Sequence, residues 1–446
     1  MIEIKGKYTL AKIFLNEIDE VSEQQIIQIV NHQAFENPVR IMPDTHAGSA
    51  NSVIGFTMPL GDKIIPNTVG VDIGCGMISV KIEQLKNDLN FDSVDKKIRQ
   101  KIAIGNDKQR VYKQAVVDFK DYFPFDKANE QLEKFTKNYN LKFNSKFVAQ
   151  EYNYRWFGKL CQTIGVSRNY VEQSLGSLGG GNHFIEIGES TKDKSLWLTV
   201  HSGSRNLGKK IADFHSKIAL DSFAYQSGSF DDEFKNMKQK LIKEGREKEI
   251  EKMRKELQKK PKNISLDFPK NMTFLSGQRM YNYFVDMIFA QIFAQTNRQL
   301  MIERITRVNK FTYSEKVESV HNYIDFQDFV IRKGAIRSYI DEKMIIPFNM
   351  ADGILICEGK SNKEWNFSAP HGAGRLMSRR QAKANINFDD FQKKMKAENV
   401  FSTSINPKTL DEAPQAYKSA EMIEKAIQPT AKILFKLKPL YNLKAF

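Results

Sequence analysis

The sequence predicts an α+β fold, in which a mixed, strand-rich core is covered by helices. The segments 41–80 and 174–208 contain short β-branched runs beside glycine and proline, a pattern typical of strands joined by loops. Residues 91–173 lie between them, are rich in charged side chains and lack glycine-rich loops, so we expect mainly helices there. The residues that could do chemistry occur where strands are expected to end, which predicts a site at the edge of the core.

The second half of the chain predicts one long helix and one charged elaboration. Residues 275–308 carry apolar side chains at helical spacing, which indicates a long and largely buried helix. The segment 231–263 is dense in Lys and Glu and suits an exposed helix. We therefore expect a single catalytic domain over 1–446 with a charged helical insertion at about 215–265. The tail 411–446 predicts one helix followed by a short strand.

Composition restricts the class of protein. The chain has 68 Lys and Arg against 53 Asp and Glu, a formal charge of +15 that favours polyanionic partners such as nucleic acid. A lysine-rich proteome gives the same excess on solvated helices, so charge alone decides little. Three cysteines are too few for a disulfide framework and predict a reducing compartment, the cytoplasm. No run of about 18 apolar residues occurs, so we expect no membrane partner.

Histidine is scarce, and its placement is informative. Of seven histidines, four lie in or beside Gly, Ser or Asn clusters where strands are expected to end: His183, His201, His321 and His371. A lone histidine is usually an ordinary core or surface residue, but this grouping of rare residues at loops favours a functional site. His32 and His215, in helix-like surroundings, are expected to be structural.

The segment around Asp72 and Cys75 predicts a metal site. The two side chains are three residues apart with Gly74 between them, so the backbone can turn both toward one ion. The alternative is that Cys75 is a small buried residue in a glycine turn. Ligand softness leaves Zn²⁺, Mn²⁺ and Fe²⁺ open. One Asp, one Cys and three His overfill a tetrahedral site but could hold two ions bridged by the thiolate.

Two glycine-rich segments suit phosphate and a nucleoside. Three consecutive glycines at 179–181 precede a predicted strand and allow backbone N–H groups to approach a phosphate. In an extended chain Asn182, Phe184 and Glu186 share one face and could hold a nucleoside, while His183 faces the other way. The segment 201–208 adds hydroxyls, glycines and an arginine, which also suit phosphate oxygens.

His371 is the predicted nucleophile. It is flanked by small residues and followed by Arg375, Arg379 and Arg380. A neutral imidazole can attack the α-phosphorus of a nucleotide to give a phosphoramidate, while arginines stabilise the developing charge. The alternative is an anion-binding turn without covalent chemistry.

Together, the motifs at 42–48, 69–77, 179–184, 201–205 and 371–375 resemble, in the same order, the RtcB family of RNA-splicing ligases. The resemblance runs from about residue 40 to the C-terminus and implies an RtcB-like fold. It also implies a GTP-dependent RNA ligase that joins 2′,3′-cyclic phosphate or 3′-phosphate ends to 5′-hydroxyl ends. The implied intermediates are a guanylylated histidine and an activated RNA-3′-guanylate, and the implied role is RNA repair or tRNA splicing. The resemblance is also compatible with an accessory activator protein.

The resemblance assigns roles to individual residues. It implies two Mn²⁺ ions bridged by Cys75, with His201 and His321 on one ion and Asp72 and His183 on the other. GMP would be carried by His371. The implied nucleotide contacts, GTP being the nucleotide, are Asn182, His183, Phe184, Ile185, Glu186, His321, Asn322, Pro347, Phe348, Asn349, Met350, His371, Gly372, Ala373, Gly374, Ser378, Tyr417 and Lys444.

The chain also departs from the common family pattern. The loop 45–52 differs, Ala351 stands where an arginine is expected, and Ile354 replaces a small polar residue. These differences predict altered substrate contacts, as in a divergent paralogue. Two other classes stay open: a metal-dependent RNA cyclic phosphodiesterase or phosphatase that does not ligate, and a basic RNA-binding protein whose metal centre supports the fold. Only the ligase requires a nucleophile at His371.

Overall fold

The computed structural model describes residues 1–105, 111–112, 117–226, 229–259 and 266–445. Two large sheets carry the architecture, and helices cover them, which confirms the predicted α+β fold. Strands and helices are numbered in chain order below. All neighbouring strands in the two large sheets run antiparallel, except for the pair β2 and β3 of the first.

The first sheet has six strands. In spatial order they are β1 (Ile2–Lys5), β2 (Leu10–Ile13), β3 (Val39–His46), β4 (Ile54–Pro59), β12 (Val330–Lys333) and β11 (Asn322–Asp325). Two short two-stranded sheets accompany it, β5 (Lys63–Ile64) with β9 (Leu275–Ser276) and β13 (Ala335–Arg337) with β16 (Ser368–Pro370).

The second sheet has seven strands and is nearly closed. In spatial order they are β10 (Tyr313–Val320), β6 (Gly76–Ile82), β8 (Leu196–Ser202), β7 (Phe184–Ser190), β17 (Ala431–Lys444), β15 (Ile354–Gly359) and β14 (Lys343–Pro347). The edge strands β10 and β14 approach each other, because Ile345 N donates a hydrogen bond to Ser319 Oγ at 2.9 Å. One face of this sheet therefore lines an enclosed interior.

Thirteen helices are found in the described residues. They are α1 (Glu20–Val30), α2 (Phe91–Lys101), α3 (Phe119–Tyr122), α4 (Phe125–Phe143), α5 (Tyr154–Thr163), α6 (Arg168–Ser174), α7 (Arg205–Gln226), α8 (Ser229–Lys243), α9 (Ile250–Lys259), α10 (Gly277–Asn309), α11 (Arg379–Asn385), α12 (Phe388–Ala397) and α13 (Ala420–Ala426). Short 3₁₀ turns occupy Pro66–Thr68, Lys86–Asp88, Glu247–Glu249, Lys270–Met272, Lys363–Trp365, Pro407–Glu412 and Pro414–Ala416. In these parts of the chain, no helix has both the length and the apolar run that crossing a membrane needs.

The long predicted helix is α10, and it joins two hydrophobic cores. The larger core lies between the six-stranded sheet and helices α1, α4, α5 and α10. The second lies between the outer face of the seven-stranded sheet, α2 and the C-terminal half of α10. Because both cores contact α10, apolar residues occur around nearly its whole circumference.

Two polar residues in the middle of α10 are fully buried. The Asn297 side chain accepts hydrogen bonds from the backbone N–H groups of Gly176 and Ser177 at 2.7 and 3.1 Å. Arg298 donates to the carbonyl oxygens of Gly74 and Ser202 at 2.8 and 2.9 Å. Both are 0% exposed, and they provide hydrogen-bond partners to main-chain groups in the core. These two consecutive residues of α10 thus anchor three separate segments of the chain.

The C-terminal tail differs from the prediction of one helix and a short strand. After two 3₁₀ turns and α13, the chain forms β17, a strand of 14 residues between β7 and β15. Pro439 lies where the register with β7 shifts, since proline lacks the N–H that a regular ladder needs. The proline explains why the sequence indicated only a short strand.

The charged segment predicted as an insertion at about 215–265 contains the end of α7 together with α8 and α9. Residues 227–228 and 260–265 of that range lie outside the described residues. The single-domain organisation and the insertion stay predictions.

Asn297→Ala should lower the free energy of unfolding by about 3 kcal/mol, because two buried N–H groups lose their acceptor. Asn282→Ala is the matched control, since Asn282 is exposed on the same helix and accepts one hydrogen bond, from Gln278. The control should change stability by less than about 0.5 kcal/mol. Urea denaturation measures both, and equal midpoints for the two variants would contradict the anchoring role.

Candidate metal and nucleotide site

The ends of many strands converge on one cavity of about 250 Å³. His46 at the end of β3, His201 near the end of β8 and His371 directly after β16 all line it. The loop before β6 contributes Asp72 and Cys75. The cavity therefore lies where both sheets end, and residues distant in sequence meet there.

Five potential metal-ligand side chains form a continuous row. Asp72 Oδ2 lies 3.1 Å from His183 Nε2, and His183 Nε2 lies 3.5 Å from Cys75 Sγ. The sulfur is 3.3 Å from His201 Nε2, which in turn is 3.3 Å from His321 Nε2. Cys75 is the middle member. The donor atoms of Cys75, His183 and His201 all lie within 4.8 Å of one another, close enough to share one ion.

The chemistry of this row fits a cation. Leu178 O lies 2.8 Å from His183 Nδ1, which makes Nδ1 the donor and leaves Nε2 with a lone pair directed at the Asp72 carboxylate. Two acceptors would then face each other. His201 and His321 likewise direct Nε2 atoms at each other, and only one could carry a proton. A metal ion among these atoms removes every such conflict.

Burial shifts the pKa values of three members of the row, His201, His321 and Cys75. It lowers the pKa of His201 and of His321 well below the usual value, so both imidazoles are neutral, the form that binds metal. Burial also raises the pKa of the Cys75 thiol, helped by the neighbouring Asp72 carboxylate. A metal ion that binds Cys75 must therefore displace a proton.

Backbone contacts fix the ligand segments. His321 N donates to Cys75 O at 2.9 Å and Gly74 N donates to Asn322 O at 2.8 Å, which joins the loops before β6 and β11. A Cβ atom at Gly203 would lie 2.2 Å from Asp72 Oδ1, so only glycine allows that carboxylate to reach its position. Asp72 in turn accepts a hydrogen bond from Ser204 N at 3.1 Å.

His371 lies beside this row and has a buried carboxylate as partner. Its ring centroid is 4.8 Å from that of His321. Asp44, which is 0% exposed, places Oδ2 2.6 Å from His371 Nδ1 and also accepts a hydrogen bond from His371 N at 3.1 Å. The carboxylate holds the proton on Nδ1, so Nε2 is the nitrogen with a free lone pair. This is the orientation that a nitrogen nucleophile requires.

A second imidazole lies close by. His46 lines the cavity, and its Nδ1 is 3.1 Å from Asp44 O. Burial lowers the pKa of His46 to about 4, so this ring is neutral across the physiological range. It adds polar surface to the cavity without adding charge.

Two cross-strand pairs of β7 and β17 form the cavity floor. Phe184 pairs with Lys444, whose Nζ lies 5.1 Å from the centre of the phenyl ring. Glu186 pairs with Asn442, and Asn442 Nδ2 donates to Glu186 Oε2 at 2.7 Å. Burial raises the pKa of Glu186 to about 8, although Asn442 and Lys444 oppose the shift. The floor thus combines an aromatic ring, a cation and uncommitted acceptors.

One wall of the cavity carries cations around a buried carboxylate. Glu412 is 2% exposed and lies within 3.4 Å of Arg375, 3.3 Å of Arg379 and 2.7 Å of Lys444. It also accepts a hydrogen bond from Tyr417 at 2.7 Å. Burial opposes ionisation of Glu412, but Lys444 and Arg379 outweigh it and lower its pKa. Arg379 also pairs with Asp411 at 3.0 Å, so three cations face two carboxylates and leave a net positive wall that suits phosphate.

The structure brings most predicted nucleotide contacts to the cavity wall. These are Asn182, Phe184, Glu186, His321, Asn322, Pro347, Phe348, Asn349, Met350, His371, Gly372, Ala373, Gly374, Tyr417 and Lys444. The alternation predicted for Asn182, Phe184 and Glu186 holds, with His183 turned away toward the ligand row.

Two predicted contacts lie elsewhere, because their side chains have structural partners. Ile185 is fully buried in the second hydrophobic core on the opposite face of β7. Ser378 caps α11, with its hydroxyl accepting from Gln381 N at 3.2 Å. Of the departures from the family pattern, Ile354 lines the cavity, whereas Ala351 packs against Phe391 and its neighbours in a separate cluster.

Sequence reasoning missed several residues of the site. Asp44 and His46 stand in the first of the quoted motifs, but nothing in the sequence paired them with His371. Glu412 and Asn442 lie near the C-terminus without glycine clusters nearby, so no local signal marked them. The 3₁₀ segment of Glu412, Pro407–Glu412, also contains Lys408 and Asp411, so Glu412 did not stand out as an isolated charge.

Comparison with known proteins agrees with the geometry. The family described as tRNA-splicing ligase RtcB matches residues 25–445. The chain is 26% identical to the RNA-splicing ligase RtcB of Escherichia coli K12, over 96% of this chain and 95% of that protein. It is 24% identical to the RNA-splicing ligase RtcB homolog 2 of Entamoeba dispar, over 99% of this chain and 90% of that protein. It is 23% identical to the tRNA-splicing ligase RtcB of Aeropyrum pernix, over 86% of this chain and 82% of that protein.

The family match spans nearly the whole chain, including every motif that contributes to the cavity. The relatives are distant but align over most of their own lengths. This chain therefore belongs to the RtcB family.

Proposed function

We propose that the protein is a GTP-dependent RNA ligase that joins RNA 2′,3′-cyclic phosphate or 3′-phosphate ends to 5′-hydroxyl ends. One observation carries the proposal: His371, oriented by Asp44, shares a cavity with a row of potential metal ligands. Relatives named RNA-splicing and tRNA-splicing ligases support RNA as the substrate and RNA repair or tRNA splicing as the role.

The proposed metal ions are two Mn²⁺. Cys75 would bridge them, with His201 and His321 on one and Asp72 and His183 on the other, as the order of the row supports. Bound there, the ions would neutralise phosphate charge and orient in-line displacement. The matched donor set, soft sulfur with imidazole and carboxylate, does not by itself select manganese over zinc or iron.

The proposed nucleotide site places guanine on the cavity floor. Phe184 offers an apolar ring face for stacking, and Glu186 Oε1, buried without a partner in the described chain, offers an acceptor for N1–H. Arg375, Arg379 and Lys444 are suitably charged for the triphosphate. Binding of a nucleotide requires an apolar surface for the base, an acceptor that recognises it and cations for the phosphates, and the cavity has all three.

In the first proposed step, His371 Nε2 attacks the α-phosphorus of GTP. The N–P bond forms as the bond to the β-phosphate oxygen breaks, and pyrophosphate leaves. The imidazole becomes positively charged, and Asp44 stabilises it through the hydrogen bond at Nδ1. Because Asp44 is fully buried, this interaction is weakly screened by water.

Two further transfers complete the proposed reaction. Water first opens a 2′,3′-cyclic phosphate to a 3′-phosphate. An oxygen of that phosphate attacks the GMP phosphorus, the N–P bond breaks, and His371 is regenerated as GMP passes to the RNA. The 5′-hydroxyl oxygen then attacks the 3′-phosphorus, releases its proton and displaces GMP, which leaves a phosphodiester.

His371→Gln should abolish covalent labelling by α-labelled GTP in the presence of Mn²⁺, because no other nitrogen replaces the nucleophile. The loss should be at least about 10³-fold, together with loss of ligation. Acid-labile radioactivity on the protein, read by gel electrophoresis, measures it. His215→Gln is the matched control, since His215 is buried in the helical layer, bonds to Asp286, and does not line the cavity.

The same experiment separates the alternative enzyme class. A metal-dependent phosphodiesterase or phosphatase would stay unlabelled while still opening cyclic phosphates, and His371→Gln would leave that activity unchanged. Retention of full labelling in His371→Gln would exclude the proposed nucleophile.

GTP affinity should rise with pH up to about 8. At lower pH the Glu186 carboxyl carries a proton, since burial raises its pKa to about 8, and guanine N1–H needs the ionised acceptor. Binding must then release a proton, so affinity gains up to about tenfold per pH unit below the pKa and levels off above it. Calorimetric titration of His371→Gln with GTP measures this. In a Glu186→Gln background the slope should disappear, and an unchanged slope there would contradict the assignment.

A further inference from the structure

We propose that Asn442 is a base-specificity residue, whose carbonyl oxygen accepts the exocyclic amine of guanine beside Glu186. The inference rests on the proposed function, because it concerns the nucleotide of that same cavity. The support is the set of hydrogen-bond donors and acceptors on the cavity floor. Nothing in the sequence marked Asn442 as functional.

The position of Asn442 is fixed by the strand register. Asn442 lies directly opposite Glu186 in the β7–β17 pair, and Lys444 lies opposite Phe184 two residues further along. The alternate residues Tyr441 and Leu443 point into the second hydrophobic core. Asn442 and Glu186 therefore face the cavity together, and both line it.

Each of the two side chains has one atom committed and one atom open. Asn442 Nδ2 donates to Glu186 Oε2 at 2.7 Å. Glu186 Oε1 and Asn442 Oδ1 are buried and have no hydrogen-bond partner in the described chain. Asn442 is 1% exposed and Glu186 2%, so protein packing shields both. The amide hydrogen bond fixes the orientation in which Asn442 Oδ1 is an acceptor, and Glu186 Oε1 is also an acceptor when the carboxyl is ionised.

Two buried acceptors without partners are unfavourable in a protein on its own. Leaving a buried polar group unsatisfied is costly, so an apolar residue would stabilise this strand position better. A ligand with two neighbouring donors removes that cost. These two oxygen atoms without partners are thus better explained by a bound ligand than by a contribution to the stability of the fold.

Guanine has the complementary pattern. Its N1–H and exocyclic amine are adjacent donors, one for Glu186 Oε1 and one for Asn442 Oδ1. Adenine lacks the amine at that carbon and has an acceptor at N1, which would face an acceptor of the protein. A site built to hydrogen-bond a group rejects analogues that lack it, since its own polar atoms are left unpaired. Ile354, also in the cavity wall, has no polar side-chain atom to provide this selection.

The test uses the full chain with Mn²⁺ and compares GTP with inosine triphosphate, which lacks only the exocyclic amine. Competition against labelling of His371 by α-labelled GTP gives the relative affinities. The wild-type protein should prefer GTP about tenfold, the equivalent of one good hydrogen bond. Asn442→Leu keeps the size of the side chain but removes the acceptor. This variant should bind GTP more weakly and inosine triphosphate with nearly unchanged affinity, so that the ratio of the two affinities falls to about one. Asn282→Leu changes an exposed asparagine that does not line the cavity and should keep the wild-type ratio.

The outcomes separate the inference from the proposed function. If no nucleotide labels His371, the proposed function fails and takes the inference with it. If labelling occurs but the wild-type protein treats GTP and inosine triphosphate equally, or prefers ATP, the role of Asn442 is overturned and the ligase proposal stands. The wild-type comparison needs no substitution, so it decides the question even if Asn442→Leu does not fold.

Discussion

The whole site depends on one constraint: Asp72, His183, Cys75, His201 and His321 hold their donor atoms 3.1–3.5 Å apart in a row whose cysteine and histidines are buried. Lone pairs at such distances repel unless a cation lies among them. The arrangement therefore needs rigid support, and α10 supplies it from inside the core. Asn297 and Arg298 bind the main chain of the segments that carry these residues, so the ligand row is fixed by a helix that is buried along most of its length.

The same convergence of strand ends places the other chemical groups. The β7–β17 pairing brings Glu186 and Asn442 to the floor, and the end of β16 brings His371 beside His321. Asp44 reaches His371 from β3 of the six-stranded sheet, so this histidine and its carboxylate partner come from different parts of the fold. Phosphorus bound between the row and the cationic wall would meet His371 with little movement of the protein.

The sequence predicted the parts of the site that carry local signals. Cys75 and His201 stood out because both residue types are scarce and lie beside glycines. Strand alternation placed Asn182, Phe184 and Glu186 on one face, whereas Ile185, which the resemblance implied as a nucleotide contact, lies in the core. It could not predict long-range pairs such as Asp44 with His371 or Glu412 with Lys444, because sheet topology alone brings them together. The length of β17 was missed for a related reason: central position in a sheet outweighs the local cost of Pro439.

The account is tested most directly by anomalous diffraction at the manganese edge from crystals of the full chain grown with Mn²⁺. It predicts two peaks that share Cys75 Sγ, one beside His201 and His321 and the other beside Asp72 and His183. No peak near Cys75, or ions bound only at other places, would contradict the paired-ion site on which the proposed chemistry of His371 depends.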